Sequence, residues 1–367
     1  MIKEIVNRDD WQPVCVRAGR VDLFGDLQNF IDNRSGIIVV NQIEEQLHEL
    51  FLLRHPEYRF DKNYQSHLDQ YIQDHFSVFD NAGNWFYFPW DNKLVHYLDE
   101  TEHNELRTGR NRFLINADEQ NRYYEARIGV MGMSVGSHVA LTITMTGGAK
   151  HLRLADLDTI SGSNLNRIRS GFSSLGLSKV KAVARQIFEI NPYSDIKIYP
   201  DGISDDNIDD FFSSNDGLQL VIEEMDNPYL KLRAREVARA SRVPMIMAAD
   251  NGDGVIVDIE RYDIQPDRPL LHGILGDMHP RDLVNIDPKQ LPNIIAKMAG
   301  ADFASARMLS SVDAVGKTIY SWPQLGTAAT LCGSTLANLA RRIVIGEQLS
   351  SGRFVVDELE MFKPVNT

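Results

Sequence analysis

From residue 126 onward, short apolar runs alternate with amphipathic stretches. Apolar runs at 127–131, 151–156, 195–199, 218–222 and 244–249 predict strands. Between them, residues 136–146, 179–190, 205–213 and 229–241 predict helices. In the second of these, Val180, Val183, Ala184, Ile187, Phe188 and Ile190 share one face, and Asn191-Pro192 stops the helix. Lys181 and Arg185 fall on its solvent side. Strand–helix alternation of this kind predicts a parallel sheet with crossover helices. The pattern changes at Asp250-Asn-Gly-Asp-Gly254, a turn signal followed by alternating residues 255–260. That pair predicts an antiparallel hairpin added to the sheet. Residues 266–321 are rich in Pro and Asp, show no period and read as an insert or crossover region. A helix at 324–345 and a strand at 353–357 close the chain.

Residues 1–108 read as a small, separate α/β domain with an accessory or substrate-binding role. A strand is expected at 36–41. A helix follows at 42–53, with Ile43, Leu47, Leu50 and Phe51 on one face. The aromatic run 84–90 reads as a core or interdomain strand before it reads as a binding platform. Residues 102–126 are polar, end in a helix and contain the cationic stretch Arg107-Thr-Gly-Arg110-Asn-Arg112. The expected fold is thus α/β. A mostly parallel, Rossmann-like sheet with antiparallel C-terminal strands occupies 109–367.

Composition narrows the partners. The net charge of −13 argues against general nucleic-acid affinity but leaves room for a local phosphate pocket. No apolar run approaches a membrane span, and the N-terminus is too acidic for a signal peptide, so a cytoplasmic protein is expected. With two cysteines, Cys15 and Cys332, a disulfide framework and a Cys-rich zinc site are both excluded. Both are expected to be buried packing residues.

The candidate chemistry begins at Gly132-Met-Ser-Val-Gly136, between a strand and a helix, where backbone N–H groups favour an anion. Twenty residues on, the next strand ends in Asp156-Leu-Asp158, where nucleotide folds place a ribose-binding acid. Ser163-Asn-Leu-Asn-Arg167 and Lys179 follow. The turn has other readings. Gly-x-Ser-x-Gly is also a hydrolase nucleophile elbow, with Ser134 attacking and His272 or His279 as base. That reading leaves Asp156 and the Ser-Asn-Leu-Asn-Arg run without a role. An NAD-dependent oxidoreductase shares the turn and the acid, although the downstream cations suit a triphosphate better. A non-catalytic ATP or AMP module is the third alternative. A Walker loop is absent.

Together these residues resemble the ThiF/MoeB/HesA family, the adenylating fold of ubiquitin-like-protein activating enzymes, over roughly residues 110–367. The matched features are Gly132-x-x-x-Gly136, Asp156-x-Asp158, Ser163-Asn-Leu-Asn-Arg167, Lys179 ahead of Asn191-Pro192, and Asp226-Asn227. The resemblance implies an adenylyltransferase that joins a carboxylate to AMP and releases pyrophosphate. It places ATP against Gly132, Ser134, Gly136, Asp156, Asp158, Asn164, Arg167, Lys179, Asp226 and Asn227. Asp156 would take the ribose, Asn164 would orient phosphates, and Arg167 and Lys179 would neutralise them. Asp226 would hold Mg²⁺, and Arg110 or Arg112 would act across a homodimer interface. The family's middle glycine is Ser134 here. Zinc-binding cysteine pairs are missing, as is a cysteine in 250–325 for a thioester. The acyl adenylate is therefore expected to pass directly to a nucleophile of the substrate or of a second molecule. The implied substrate is a peptide or small-protein carboxylate, as in peptide natural-product maturation, shaped by the N-terminal domain and residues 266–321. A tRNA nucleoside is the lesser choice on this acidic chain.

Overall fold

A computed structural model describes residues 10–16, 27–78, 83–287, 289–312 and 314–357. The chain divides into two units, Met1–Gln120 with Ala184–Tyr193, and Asn121–Val183 with Ser194–Thr367.

The first unit holds β1 (Val14–Val16), α1 (Leu27–Asp32), β2 (Ile38–Asn41), α2 (Ile43–Arg54), α3 (Tyr64–Val78), β3 (Asn84–Phe88), β4 (Lys93–Tyr97) and α4 (Glu100–Thr108). Its sheet runs β1-β3-β4-β2, with β2 parallel to β4 and the other pairs antiparallel. Ile43, Leu47 and Leu50 of α2 form a buried cluster with Leu98. Trp85 of β3 is buried with Phe30 and Leu94, as a core reading of the aromatic run requires. Two expectations are corrected. Cys15 is exposed: β1 is an edge strand, and alternation turns the thiol outward. Arg185 is partly buried, not on a solvent face. Its Nε donates to the Asp10 carbonyl at 2.9 Å, and its guanidinium lies 5.4 Å from the Trp90 ring centroid.

The second unit is entered through α5 (Ala117–Tyr124). It carries β5 (Arg127–Met131), α6 (Val135–Met145), β6 (His151–Ala155), the start of α7 (Lys179–Ile190, counted with the first unit from Ala184 on), β7 (Asp195–Tyr199), α8 (Ile208–Ser213), β8 (Leu220–Glu223), α9 (Pro228–Ala240), β9 (Met245–Asn251) and β10 (Gly254–Glu260). Its sheet order is β11-β10-β9-β8-β5-β6-β7, where β11 is Gly352–Val356. Strands β5 to β9 are parallel, and β10 is antiparallel to both β9 and β11. The α/β class and the antiparallel C-terminal strands are as expected. The chain builds β5, β6 and β7 outward in one direction, then returns to place β8 on the other side of β5. A topological switch point therefore lies between the carboxyl ends of β5 and β8, where open α/β sheets bind ligands.

Residues 266–321 are not structureless. They hold α10 (Pro280–Val284), α11 (Leu291–Ala299) and α12 (Ala306–Val312). The first and last are two turns or fewer, too short for a readable period; only α11 shows one, with Ile294 and Met298 buried. The last helix, α13 (Gly326–Val344), packs on α6. The approach is close enough that a Cβ on Gly333 would lie 2.4 Å from the His138 Cβ. Buried charge ties the sheet together. Arg235, fully buried, sits 2.7 Å from both Glu223 and Glu260.

Candidate functional site

The glycine turn falls at the switch point. Gly132 follows β5 with φ of +91°, and a Cβ there would lie 2.4 Å from the Glu224 carbonyl oxygen after β8. Only glycine combines that dihedral with that approach. Ser134 is the N-cap residue of α6, and its side chain makes no capping bond. The first N–H groups of α6 therefore have no side-chain cap from Ser134, and a helix N-terminus of this kind favours an anion.

Asp156, directly after β6, is held rigidly. The Met133 N–H donates to its Oδ2 at 2.6 Å and the Asp158 N–H to its Oδ1 at 2.7 Å. Its side chain is 9% exposed. Burial raises the carboxyl pKa, while Lys179 and the two N–H donors pull it back. A carboxylate offers about four acceptor positions, so two remain for hydroxyl donors.

Lys179 opens α7, against the helix dipole, and the anion that position demands is already present. Its Nζ is 2.8 Å from Asp158 Oδ2 and 3.9 Å from Asp156 Oδ2. Its charge therefore reaches the crevice as part of an Asp–Lys–Asp group. Arg167 lies on the other side of the turn. Its Nε donates to Ser134 Oγ at 3.3 Å, and its Nη1 to the Ser163 carbonyl and Asn166 Oδ1. Asn164 is buried and accepts the Ser161 N–H at 3.0 Å, closing a short 3-10 turn that shapes this loop.

Asp226 and Asn227 follow β8. Asn227 caps α9 by accepting the Leu230 N–H at 3.1 Å; Asp226 is exposed. No cluster of three metal-binding side chains occurs among the described residues. Arg110 and Arg112 belong to the first unit. Arg110 is exposed, and Arg112 is paired with Glu105 at 2.9 Å and with the Leu53 carbonyl at 3.0 Å.

Among the described residues no histidine is hydrogen-bonded to Ser134. His272 pairs with Asp258 and His279 with Glu236, which leaves the nucleophile elbow without its base. The sequence reading overlooked Glu224 and Asp250. Glu224 Oε1 accepts the Ala248 N–H at 2.8 Å beside the glycine turn, and burial pushes its carboxyl well above the ordinary range. Two acids closing a buried apolar strand, Glu223-Glu224, were the available signal. Cys332 is fully buried, and burial pushes its thiol up, so it stays neutral.

These features define a Rossmann-like α/β protein with an anion-favouring turn at its switch point. The ThiF family matches residues 108–364, and the chain belongs to that family. It is 38% identical over 280 residues to an uncharacterized protein of Mycobacterium tuberculosis, a match covering 76% of this chain and 38% of that one. It is 29% identical over 133 residues to the tRNA threonylcarbamoyladenosine dehydratase of Escherichia coli, covering 35% of this chain and 48% of the enzyme. The chain thus spans less than half the length of each of these relatives. The crystal structure of PaaA shares the fold, with a TM-score of 0.50 at 16% identity, over 70% of this chain and 78% of that one. No helix among the described residues is long and apolar enough to cross a membrane.

Proposed function

We propose that the chain is an ATP-dependent adenylyltransferase that activates a carboxylate, that of a peptide or small protein, as an acyl adenylate. The observation that carries this reading is the pairing of an anion-favouring turn at 132–136 with Asp156 on one side and Arg167 on the other. Ribose hydroxyls donate to the two remaining acceptor positions of Asp156. The phosphates lie along the α6 N-terminus and face the Arg167 guanidinium, with Lys179 behind Asp158 and Asn164 holding the loop. A substrate carboxylate oxygen attacks the α-phosphorus in line. The bond from that phosphorus to the bridging oxygen breaks, and pyrophosphate leaves with the electron pair. Charge that builds on the α-phosphate is met by fixed donors, which need no reorganisation.

Mg²⁺ typically takes one or two carboxylates and fills its shell with phosphate oxygens and water. The exposed Asp226 carboxylate fits that manner of binding, and the ion would supply charge neutralisation at the phosphates. The acyl group passes from AMP to a nucleophile outside the enzyme: Cys332 is a buried neutral thiol, and no cysteine stands within 250–325. A homodimer in which Arg110 or Arg112 reaches a partner's site completes the proposal. So does a substrate-binding role for the first unit, taken as residues 1–108 against an adenylation domain of 109–367.

Isotope exchange between ATP and pyrophosphate tests the reading, with candidate peptides supplied as carboxylate donors. Exchange that depends on a peptide, and that disappears in Asp156→Ala and Asp226→Ala while both variants keep the wild-type circular dichroism, is the expected result. Covalent labelling of Ser134 by a fluorophosphonate would instead revive the hydrolase.

A further inference from the structure

A continuous run of hydrogen bonds links the glycine turn to residues remote in sequence. Arg167 donates to Ser134 Oγ and, through Nη1, to Asn166 Oδ1 at 2.9 Å. Asn166 Nδ2 donates to the Gln324 carbonyl at 2.8 Å. Gln324 Nε2 in turn donates to Asp250 Oδ2 at 3.0 Å, and the Cys332 thiol donates to Asp250 Oδ1 at 3.5 Å. The Asn166 amide has one orientation that satisfies both neighbours, oxygen to the guanidinium and nitrogen to the carbonyl. Packing supports the same arrangement. A Cβ on Gly326 would lie 2.5 Å from the Asn166 carbonyl oxygen, so the segment entering α13 can seat on this loop only with glycine at 326.

Asp250 lies near the end of β9, on the carboxyl edge of the parallel strands. It is half-buried and interacts electrostatically with Arg167 as well as with His138. Neither Asp250 nor Gln324 bonds to the turn itself. Their effect on it runs through Asn166 and Arg167.

We propose that Asp250 and Gln324 are positioning residues for the nucleotide site: they fasten the segment leading into α13 onto the 163–167 loop and so hold the Arg167 guanidinium over the glycine turn, where it meets nucleotide phosphates. This rests on reading Arg167 as a phosphate-binding cation. The side chains of Asp250 and Gln324 act as one donor–acceptor pair. Gln324→Glu sets two carboxylates against each other. Adding Asp250→Asn restores one donor and one acceptor with the direction reversed. Gln324→Met keeps the length of the side chain and removes the amide that donates to Asp250.

The test is calorimetric titration of the full chain with MgATP and, separately, with adenosine, which has no phosphates. Gln324→Glu and Gln324→Met are expected to weaken MgATP binding roughly three- to tenfold, the effect of one lost hydrogen bond, and to leave adenosine binding unchanged. The Asp250→Asn/Gln324→Glu pair is expected to return MgATP affinity to near the wild-type value. In an Arg167→Ala background neither Gln324 substitution should have any further effect. Equal losses for MgATP and adenosine, additivity with Arg167→Ala, or no rescue by the reversed pair would each overturn the proposal. A wild-type chain that binds no MgATP would instead refute the nucleotide reading on which it stands.

Discussion

Gly132 concentrates the local constraints of the site. Its φ of +91° strains any residue with a Cβ, and the Glu224 carbonyl occupies the space that atom would need. Gly132→Ala should therefore cost at least about 2 kcal/mol of stability. Gly162 has neither problem: nothing lies within 4 Å of a Cβ there, and its φ is not positive. Gly162→Ala should change stability by less than about 0.5 kcal/mol. Urea midpoints of the two variants check the contrast, and equal losses would show that backbone freedom at 132 is not the reason for glycine. The glycine turn and Asp156 were legible in sequence because strand, turn and acid follow one another at fixed spacing. The partners of Asp156 were not. Its bond to the Met133 N–H depends on how β5 and β6 pair, and the Asp158–Lys179 ion pair on where α7 begins. A lysine at a helix start opposes the dipole, and the anion beside Lys179 is supplied by the chain itself, at Asp158.

Among elements, the β10–β11 pair shows how buried charge fixes register. Asp258 and Arg353 are direct cross-strand partners, bonded at 2.7 Å, and Asp258 is fully buried. Removing the guanidinium leaves the buried carboxylate with His272 but without its permanently charged partner. Arg353→Met should destabilise the second unit by about 3–5 kcal/mol, whereas Asp258→Leu/Arg353→Met should recover much of that loss. Thermal midpoints of the single and double variants test this, and a double variant no more stable than Arg353→Met would refute it. Nothing in the local sequence announced the pair, since its members are separated by the whole of 266–321. Parallel strands and their helices were readable because each is apolar on a regular period. The helix α3 is not announced by its sequence, because its inward stripe, buried Leu68 with half-buried Tyr71, Ile72 and Phe76, is set among polar residues. The strand β4 alternates buried and half-buried residues but is short and carries Lys93 and His96.

At the scale of the whole molecule, the two units should respond to acid in different windows. His103, in the first unit, is half-buried and packs against Tyr97 and Tyr193, with its Nε2 bonded to the Ile190 carbonyl and Arg107 nearby. Burial is the largest cause that holds its pKa at about 4, with Arg107 adding to it. An unfolded chain takes up that proton near pH 6.5. Between pH 6.5 and pH 4 the unfolded state binds more protons, so the first unit loses stability as pH falls through this range. The loss should be on the order of 3 kcal/mol. Asp258, in the second unit, is shifted down as well, but because its charged form is favoured rather than disfavoured. Arg353 and His272 outweigh its burial and hold it at about 2. Its stabilisation is complete above pH 4 and is lost only as pH falls from there towards 2. Of the four tryptophans, Trp11, Trp85 and Trp90 belong to the first unit and only Trp322 to the second. Tryptophan emission should therefore shift at a higher pH than the far-ultraviolet circular dichroism, which the larger second unit dominates. The substitution His103→Gln keeps an N–H donor for the Ile190 carbonyl and removes the titrating ring. It should move the emission midpoint to lower pH and leave the circular dichroism midpoint in place. Coincident midpoints in the wild-type chain, or an emission midpoint indifferent to the substitution, would show that His103 does not set the acid limit of the first unit.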